Sequence, residues 1–165
     1  NCERLELFVN GESAGVRDIE KYGHGEWTAP YEPGFIEVKA YNGGVEVAKE
    51  RRETTGPAAA LKLTLETPDV LPNGKDVAIL GCTCVDEQGR EVPDACPTVT
   101  VSAFGSGTVY STGSDITDHS SLLLSRRRMR AGNMGIAVKM NEKKQPLKVV
   151  AQADGLKSAV LIKEF

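Results

Sequence analysis

The feature that most limits the fold of this chain is an alternation of apolar and polar residues in short runs. Leu5, Leu7 and Val9 are spaced two residues apart, and the turn-forming pair Asn10-Gly11 follows them. Alternation with a period of two is typical of β-strands with one buried face, and Asn-Gly closes tight hairpins. Turn residues recur about every 8–15 residues, and no segment keeps an apolar period of 3.6 residues. The pattern predicts an all-β chain of antiparallel strands with the spacing of a β-sandwich.

The composition argues against several other classes of protein. The 165 residues are 40% hydrophobic and 26% charged, which is typical of a folded chain rather than a disordered one. The formal net charge of −3 gives no general attraction to nucleic acid. No apolar run approaches the ~20 residues that cross a bilayer as a helix. We therefore expect neither a nucleic-acid partner nor a membrane span.

The stretch TTGPAAA at residues 54–60 is the best candidate for a domain boundary, because turn-forming and small residues there precede a new alternating run. We predict a first domain over residues 1–56 and a second over residues 57–165. The first is small for an independent core, and its opening strand pattern at residues 5–9 has no strand before it. We therefore expect the first domain to lack its N-terminal strand. Residues 5–9 would then form an unpaired sheet edge, open to association with another chain.

The opening residues NCERLELFVNGESAG resemble a motif of a known family. The motif begins the accessory region that follows the catalytic barrel in bacterial glycoside hydrolase family 2 enzymes, notably β-galactosidases. Later segments resemble further motifs of that region, from WTAPYEPG at residues 27–34 to AQADGLKSAVLI at residues 151–162. The residues that carry most of the resemblance are Asn1, Cys2, Glu6, Leu7, Phe8, Asn10, Gly11, Ser13, Gly15, Trp27, Pro30, Tyr31, Pro33, Gly34, Tyr41, Thr55, Gly56, Pro57, Asn73, Gly74, Asp76, Val85, Asp86, Gly89, Val92, Pro93 and Ala95.

The resemblance implies two immunoglobulin-like antiparallel β-sandwich domains in tandem. It implies a bacterial parent, periplasmic or secreted, that hydrolyses O-glycosidic bonds, most plausibly in β-galactosides or related glycans. In that family the catalytic carboxylates lie on the barrel, so we expect the fragment itself to be non-catalytic, with no catalytic residue, metal or cofactor. The expected partner is the catalytic barrel of the same parent chain. No pair of carboxylates in this sequence has a motif of the two-carboxylate mechanism.

The segment GSDITDHSS at residues 113–121 is the most site-like loop. Asp115, Asp118 and His119 cluster there among hydroxyl side chains. Carboxylates and hydroxyls could bind Ca²⁺ or sugar hydroxyls, and His119 could donate a hydrogen bond. The alternative, which we favour, is a loop whose Asp and Ser side chains bond to their own backbone.

Aromatic residues are scarce at 5%, so the group within KYGHGEWTAPYEPG stands out. Trp27 and Tyr31, with Tyr22 nearby, could stack on sugar rings, whose axial C–H faces are apolar. The alternative, again favoured, is that Trp27 belongs to the core of the first domain and Tyr31 holds the turn at Pro33-Gly34.

Two further groups could carry chemistry but favour a structural role. Cys82 and Cys84 lie two residues apart and point to one face of a strand, which favours small core residues over a metal site. A disulfide from either of them to Cys96 remains open. The run SRRRMR at residues 125–130 favours a solvated strand or a domain contact over a phosphate site.

Three function classes follow. The first is a structural role in a glycoside hydrolase, bracing the catalytic barrel or mediating oligomerisation, which includes a homo-oligomer of the chain. The second is a carbohydrate-binding module. The third is an immunoglobulin-like stalk or adhesin, which the dissimilarity of the two parts disfavours, because stalks repeat one unit.

Overall fold

The computed structural model describes residues 1–165 and contains only β-strands joined by turns and loops. The strands, numbered in chain order, are β1 (Arg4–Val9), β2 (Glu12–Asp18), β3 (Phe35–Asn42), β4 (Val45–Glu53), β5 (Ala60–Leu65), β6 (Val77–Val85), β7 (Thr98–Gly105), β8 (Gly107–Gly113), β9 (Arg126–Arg128), β10 (Asn133–Met140), β11 (Leu147–Gln152) and β12 (Ala159–Lys163). They form three four-stranded antiparallel sheets. The all-β class and the tandem arrangement expected from the sequence are confirmed. In this structure, no helix has the length and apolar character needed to span a membrane.

The chain divides into two compact units, Asn1–Thr54 and Thr55–Phe165. Unit 1 is one sheet with the strand order β2-β1-β3-β4. The tight turn between β1 and β2 forms where the sequence predicts it. Asn10 and Gly11 adopt positive φ values of 50° and 89° there, as a two-residue hairpin turn requires. A long irregular segment, residues 19–34, connects β2 to β3.

The expected unpaired edge at residues 5–9 is wrong. Strand β1 pairs with β2 on one side and with β3 on the other, so it lies inside the sheet. The edges of unit 1 are β2 and β4. The reason is the connection through residues 19–34, which returns the chain to the free side of β1 after the first hairpin.

The two faces of unit 1 differ in chemistry. Leu7 and Val38 are cross-strand partners on the apolar face, where Leu7 is buried. On the other face charged side chains lie over aromatic rings: Lys39 is 5.0 Å from the centroid of the Phe8 ring. This face is therefore the charged face of the sheet, on which the ammonium group of Lys39 packs over an aromatic ring.

Unit 2 is a sandwich of two sheets with a common core. The first sheet has the order β5-β6-β10-β8 and the second has the order β12-β11-β7-β9. Alternate residues of each strand point inward, as the sequence pattern predicts. The largest fully buried side chains are Leu80, Met129, Ile136, Met140, Leu147, Val99, Val101, Val138, Val149, Thr112, Cys82 and Cys84.

The start and the end of unit 2 are joined by backbone hydrogen bonds. Leu61 N–H donates to the carbonyl of Lys157 at 2.9 Å, and Lys157 N–H donates to the carbonyl of Ala59 at 2.9 Å. The resulting parallel bridge between Ala60 and Lys157 links the β5 edge of one sheet to the segment before β12. The sandwich is thereby closed at one side by residues almost 100 positions apart in the chain.

Candidate functional site

The loop of residues 114–125 leaves β8 in one sheet of unit 2 and enters β9 in the other. It therefore passes over an edge of the sandwich, and polar groups must satisfy its backbone there. Asp115 accepts hydrogen bonds at 2.9 Å from both the backbone N–H and the hydroxyl of Thr117. Asp118 accepts one at 2.9 Å from the N–H of Ser120. Such local bonds are those of the alternative that the sequence analysis favoured, a loop whose Asp and Ser side chains bond to their own backbone.

Arg127 is the side chain that organises this loop. It lies on β9 and is only 4% exposed. Its guanidinium donates to the carboxylate of Asp118, to the hydroxyl of Ser120 at 3.1 Å and to the carbonyl of Ser121 at 2.6 Å. Its Nε donates to the hydroxyl of Thr112 on β8 at 3.2 Å. One buried arginine therefore ties the loop to both strands that flank it.

The interpretation of residues 125–130 as a solvated strand is thus wrong at its centre. Arg126 and Arg128 are exposed, as alternation on a strand requires, but Arg127 between them points inward. Arg130 takes part in the same arrangement by pairing with the carboxylate of Asp115. Two arginines of residues 125–130 are thus ion-pair partners of the loop: Arg127 pairs with Asp118, and Arg130 pairs with Asp115.

The two carboxylates of the loop are held in the ionised state. The hydrogen bond from the backbone of Thr117 contributes most to lowering the pKa of Asp115, and the Arg130 guanidinium adds to it. The hydrogen bonds from Ser120 contribute most to lowering the pKa of Asp118, with Arg127 adding to them. Carboxylates with lowered pKa values do not donate protons near neutral pH, so neither group is suited to be a general acid.

Two open clefts flank the ridge formed by Asp115 and Asp118. The larger has a volume of about 710 Å³, and Ile116, Leu122 and Met134 contribute apolar walls to it. The smaller, of about 440 Å³, lies on the side of Cys96, Arg128 and Arg130. His119, the third candidate residue of the loop, is exposed and makes no hydrogen bond to the cluster. The loop therefore brings Asp115 and Asp118 together but leaves His119 outside.

The aromatic candidates lie in unit 1, in the segment of residues 19–34. Trp27 is half-buried, and its indole N–H donates to the carbonyl of Gly15 at 3.1 Å. Tyr31 is 78% exposed, and its hydroxyl lies 3.4 Å from that of Thr54. Tyr22 is 88% exposed. Trp27 thus holds the irregular segment against β2, while the rings of Tyr31 and Tyr22 face solvent.

Cys82 and Cys84 pack in the core of unit 2. Cys82 and Cys84 are fully buried, and the Cys84 thiol lies 3.5 Å from the sulfur of Met129. All four cysteines are free thiols, including the exposed Cys96. Burial raises the pKa of Cys82 to about 12, so this thiol stays protonated and unreactive.

Asp86 is a structural residue whose role sequence reasoning missed. It is 3% exposed, and its carboxylate accepts hydrogen bonds from the backbone N–H groups of Gly56, Gln88 and Arg90 and from the Arg90 side chain. The signal in the sequence was the DEQGR stretch, a short turn with an acidic start and an arginine four residues later. This one side chain fixes both that turn and the chain at residue 56.

Comparisons with known proteins give a consistent family. The model of glycoside hydrolase family 2 C-terminal domain 5 matches residues 61–162, and a domain of unknown function, DUF4982, matches residues 1–48. The β-galactosidase BoGH2A of Bacteroides ovatus is 30% identical in an alignment of 165 positions that covers 97% of this chain and 19% of that protein. A β-glucuronidase of Formosa agariphila is 34% identical over 101 residues, covering 56% of this chain and 10% of that protein.

Solved structures agree with this assignment. The glycosyl hydrolase family 2 member from Bacteroides cellulosilyticus superposes with a TM-score of 0.91 at 25% identity, over 98% of this chain and 23% of that one. The present chain therefore spans about a fifth or less of the length of the curated relatives it matches.

Proposed function

Because this chain belongs to the C-terminal domains of glycoside hydrolase family 2, we propose that it is a non-catalytic accessory part of a larger glycoside hydrolase. In this proposal the parent hydrolyses β-galactosides or related glycosides, and unit 2 braces its catalytic domain. The observation that carries the proposal is the alignment of nearly the whole chain with one fifth of a β-galactosidase. Such a share leaves the larger part of the relative for other domains, including the one that performs catalysis.

The state of the acidic loop supports a non-catalytic role. A glycosidase needs one carboxylic acid with a raised pKa as proton donor and a second carboxylate facing it. Asp115 and Asp118 both have lowered pKa values and are paired with Arg130 and Arg127. In this proposal both carboxylates stabilise the loop, and neither acts as the proton donor of a glycosidase.

An apolar patch on the outer face of unit 2 supports the bracing role. Phe104 on β7 and Ile162 on β12 both lie opposite Lys148 on β11, so they share one face. Phe104 is 54% exposed, Ile162 59% and Val160 56%. Clustered exposed apolar side chains of this kind mark protein contact surfaces. The catalytic domain of the parent is the occupant proposed for this patch.

The test is a chimera of the B. ovatus β-galactosidase in which this chain replaces the matching segment. We expect the chimera to keep its activity and thermal midpoint, whereas deletion of the segment lowers both. The double substitution Val160→Thr/Ile162→Thr in the chimera should lower the midpoint of the enzyme while leaving that of the isolated chain nearly unchanged. A deletion variant as active and as heat-resistant as the parent would refute the bracing role.

Carbohydrate binding is the second candidate, favoured by one observation in unit 1. Tyr31 presents a solvent-facing ring on an irregular segment, as stacking on a sugar requires. A separate set of candidate contacts lies in unit 2, where Asp115 and Asp118 line the larger cleft and His119 is exposed in the same loop. Calorimetric titration with galactose, lactose and a panel of polysaccharides tests it, with Trp27 fluorescence followed in parallel. Saturable heat that Tyr31→Ala abolishes would support binding, and a flat response across the panel would exclude it.

A further inference from the structure

Asparagine is followed by glycine in three turns of this chain, at residues 10–11, 42–43 and 73–74. Such a pair is chemically labile, because glycine has no side chain to hinder attack of its backbone nitrogen on the asparagine side chain. The attack closes a five-membered succinimide ring and releases ammonia. In a folded protein the groups that surround each pair decide which of them reacts.

The pair Asn42-Gly43 lies where β3 turns into β4. Asn42 is the strand partner of Val45, so Gly43 and Gly44 form a two-residue turn. Both glycines have positive φ values, of 55° and 80°, and a Cβ added to either would have no atom within 4 Å. The turn is therefore free of packing contacts and has room for the rotation that ring closure requires.

Glu3 contacts both reacting groups of this pair. Its carboxylate accepts a hydrogen bond from the N–H of Gly43 at 2.8 Å. Its own N–H donates to the side-chain oxygen of Asn42 at 2.9 Å, and also to the carbonyl of Tyr41 at 3.1 Å. A base thus lies on the attacking nitrogen, and a donor lies on the oxygen that gains negative charge during the attack.

The other two pairs have different surroundings. The side-chain oxygen of Asn10 accepts a hydrogen bond from the N–H of Phe35 at 2.7 Å. The side-chain oxygen of Asn73 accepts one from the N–H of Asp76 at 2.8 Å, and its amide nitrogen donates to the Asp76 carboxylate at 2.8 Å. Of the three glycine N–H groups, that of Gly43 is the one bonded to a carboxylate.

We propose that Asn42-Gly43 is a site of self-catalysed deamidation with Glu3 as the general base. The nitrogen of Gly43 bonds to the side-chain carbon of Asn42, and its proton passes to the Glu3 carboxylate. The bond from that carbon to the amide nitrogen breaks, and ammonia leaves with the proton that Glu3 held. Water then opens the ring at either carbonyl and gives aspartate or isoaspartate.

Either product changes the end of β3. Aspartate adds a negative charge beside the turn and lacks the amide donor that Asn42 directs to the carbonyl of Asn1 at 3.4 Å. Isoaspartate adds one carbon to the backbone, which a two-residue turn does not absorb without a change of geometry. The reaction would therefore loosen residues 1–3 from β3 as the protein ages. The proposal concerns unit 1 and is independent of the accessory role of the chain.

Peptide mapping by mass spectrometry, during incubation of the folded chain at neutral pH for several weeks, provides the test. Trypsin leaves the three pairs on separate peptides, residues 5–17, 40–49 and 63–75. Deamidation adds one mass unit to a peptide, and chromatography separates isoaspartate from aspartate. We expect Asn42 to react at least about fivefold faster than Asn10 and Asn73.

Glu3→Gln removes the base but leaves a side-chain carbonyl that can accept the same hydrogen bond, and circular dichroism checks that this variant is folded. It should slow the reaction of Asn42 at least about fivefold. Glu12→Gln, the same change of charge on β2, is the matched control and should not slow it. In urea all three proteins should react alike, because the contact with Glu3 depends on the fold.

Two results would overturn the proposal. One is a rate at Asn42 in the folded wild type that does not exceed the rates at Asn10 and Asn73. The other is an equal rate at Asn42 in the folded Glu3→Gln and Glu12→Gln variants.

Discussion

Replacing Arg127 with methionine removes the buried group that ties the 114–125 loop to the sandwich. Methionine keeps the apolar stem of the side chain and deletes the guanidinium. The deletion costs four hydrogen bonds, to Asp118, Ser120, Ser121 and Thr112. We expect the loop to detach while the two sheets of unit 2 stay packed.

The magnitude follows from how well the abandoned partners can be hydrated. Removing one member of a fully buried ion pair costs about 3–5 kcal/mol. The side chain of Asp118 is 33% exposed, so water replaces much of its lost partner. With about 0.5–1.5 kcal/mol for each hydrogen bond, we expect the free energy of unfolding of unit 2 to fall by about 2–3 kcal/mol.

The assay must report on unit 2, since the single tryptophan, Trp27, lies in unit 1. Urea unfolding followed by far-ultraviolet circular dichroism gives the change in stability. Hydrogen exchange with mass spectrometry locates it, and residues 113–125 should lose protection while β10 and β11 change little. Arg126→Met, on the exposed face of the same strand, is the matched control. Equal urea midpoints and equal exchange in the two variants would refute the role assigned to Arg127.

Three further outcomes follow from the structure. Burial alone would raise the pKa of Asp86, but hydrogen bonds from backbone N–H groups and an arginine outweigh it and lower the pKa to about 2. Asp86 therefore stabilises the fold above pH 4 and loses this effect as pH falls toward 2, so Asp86→Asn should flatten the acid side of the curve of stability against pH. Gly105→Ala, with φ of 78° and a backbone oxygen 2.0 Å from the new Cβ, should cost at least about 2 kcal/mol more than Gly89→Ala, where φ is 80° and no atom lies within 4 Å. Thermal unfolding of the two alanine variants checks the difference, and equal midpoints would contradict it. In thiol labelling at pH 8, Cys82 and Cys84 should react only as fast as unit 2 unfolds, while the other two cysteines react in the native state, and fast labelling of all four would contradict the buried core.

The sequence could predict those parts of the fold that depend on neighbours in the chain. The alternation of Leu5, Leu7 and Val9 and the pair Asn10-Gly11 are local signals, and the hairpin forms where they lie. The place of β1 within the sheet was not predictable in this way. It depends on β3 pairing with β1 across the irregular segment of residues 19–34, and no local pattern encodes that return.

The acidic loop likewise combines a feature that the local sequence predicts with one that depends on the tertiary structure. Its Asp and Ser side chains bond to nearby backbone, as residues of these types do in loops generally, and the sequence suffices for that. The burial of Arg127 depends on the loop folding over the side of the sandwich where β8 ends one sheet and β9 ends the other. A run of arginines in a sequence is usually solvated. Only the tertiary structure places the carboxylate of Asp118, the hydroxyl of Ser120 and the carbonyl of Ser121 around Arg127.

The bridge between Ala60 and Lys157 has a consequence for synthesis. The ribosome makes the residues between these positions in about 5–20 s, and the bridge cannot form before Lys157 emerges. Strand β11, which separates β7 from β12 in its sheet, also emerges late. During that interval the apolar inner faces of β6 and β7 have no complete opposing sheet. The nascent chain is therefore most exposed to aggregation and to chaperone binding just before its last strands are made.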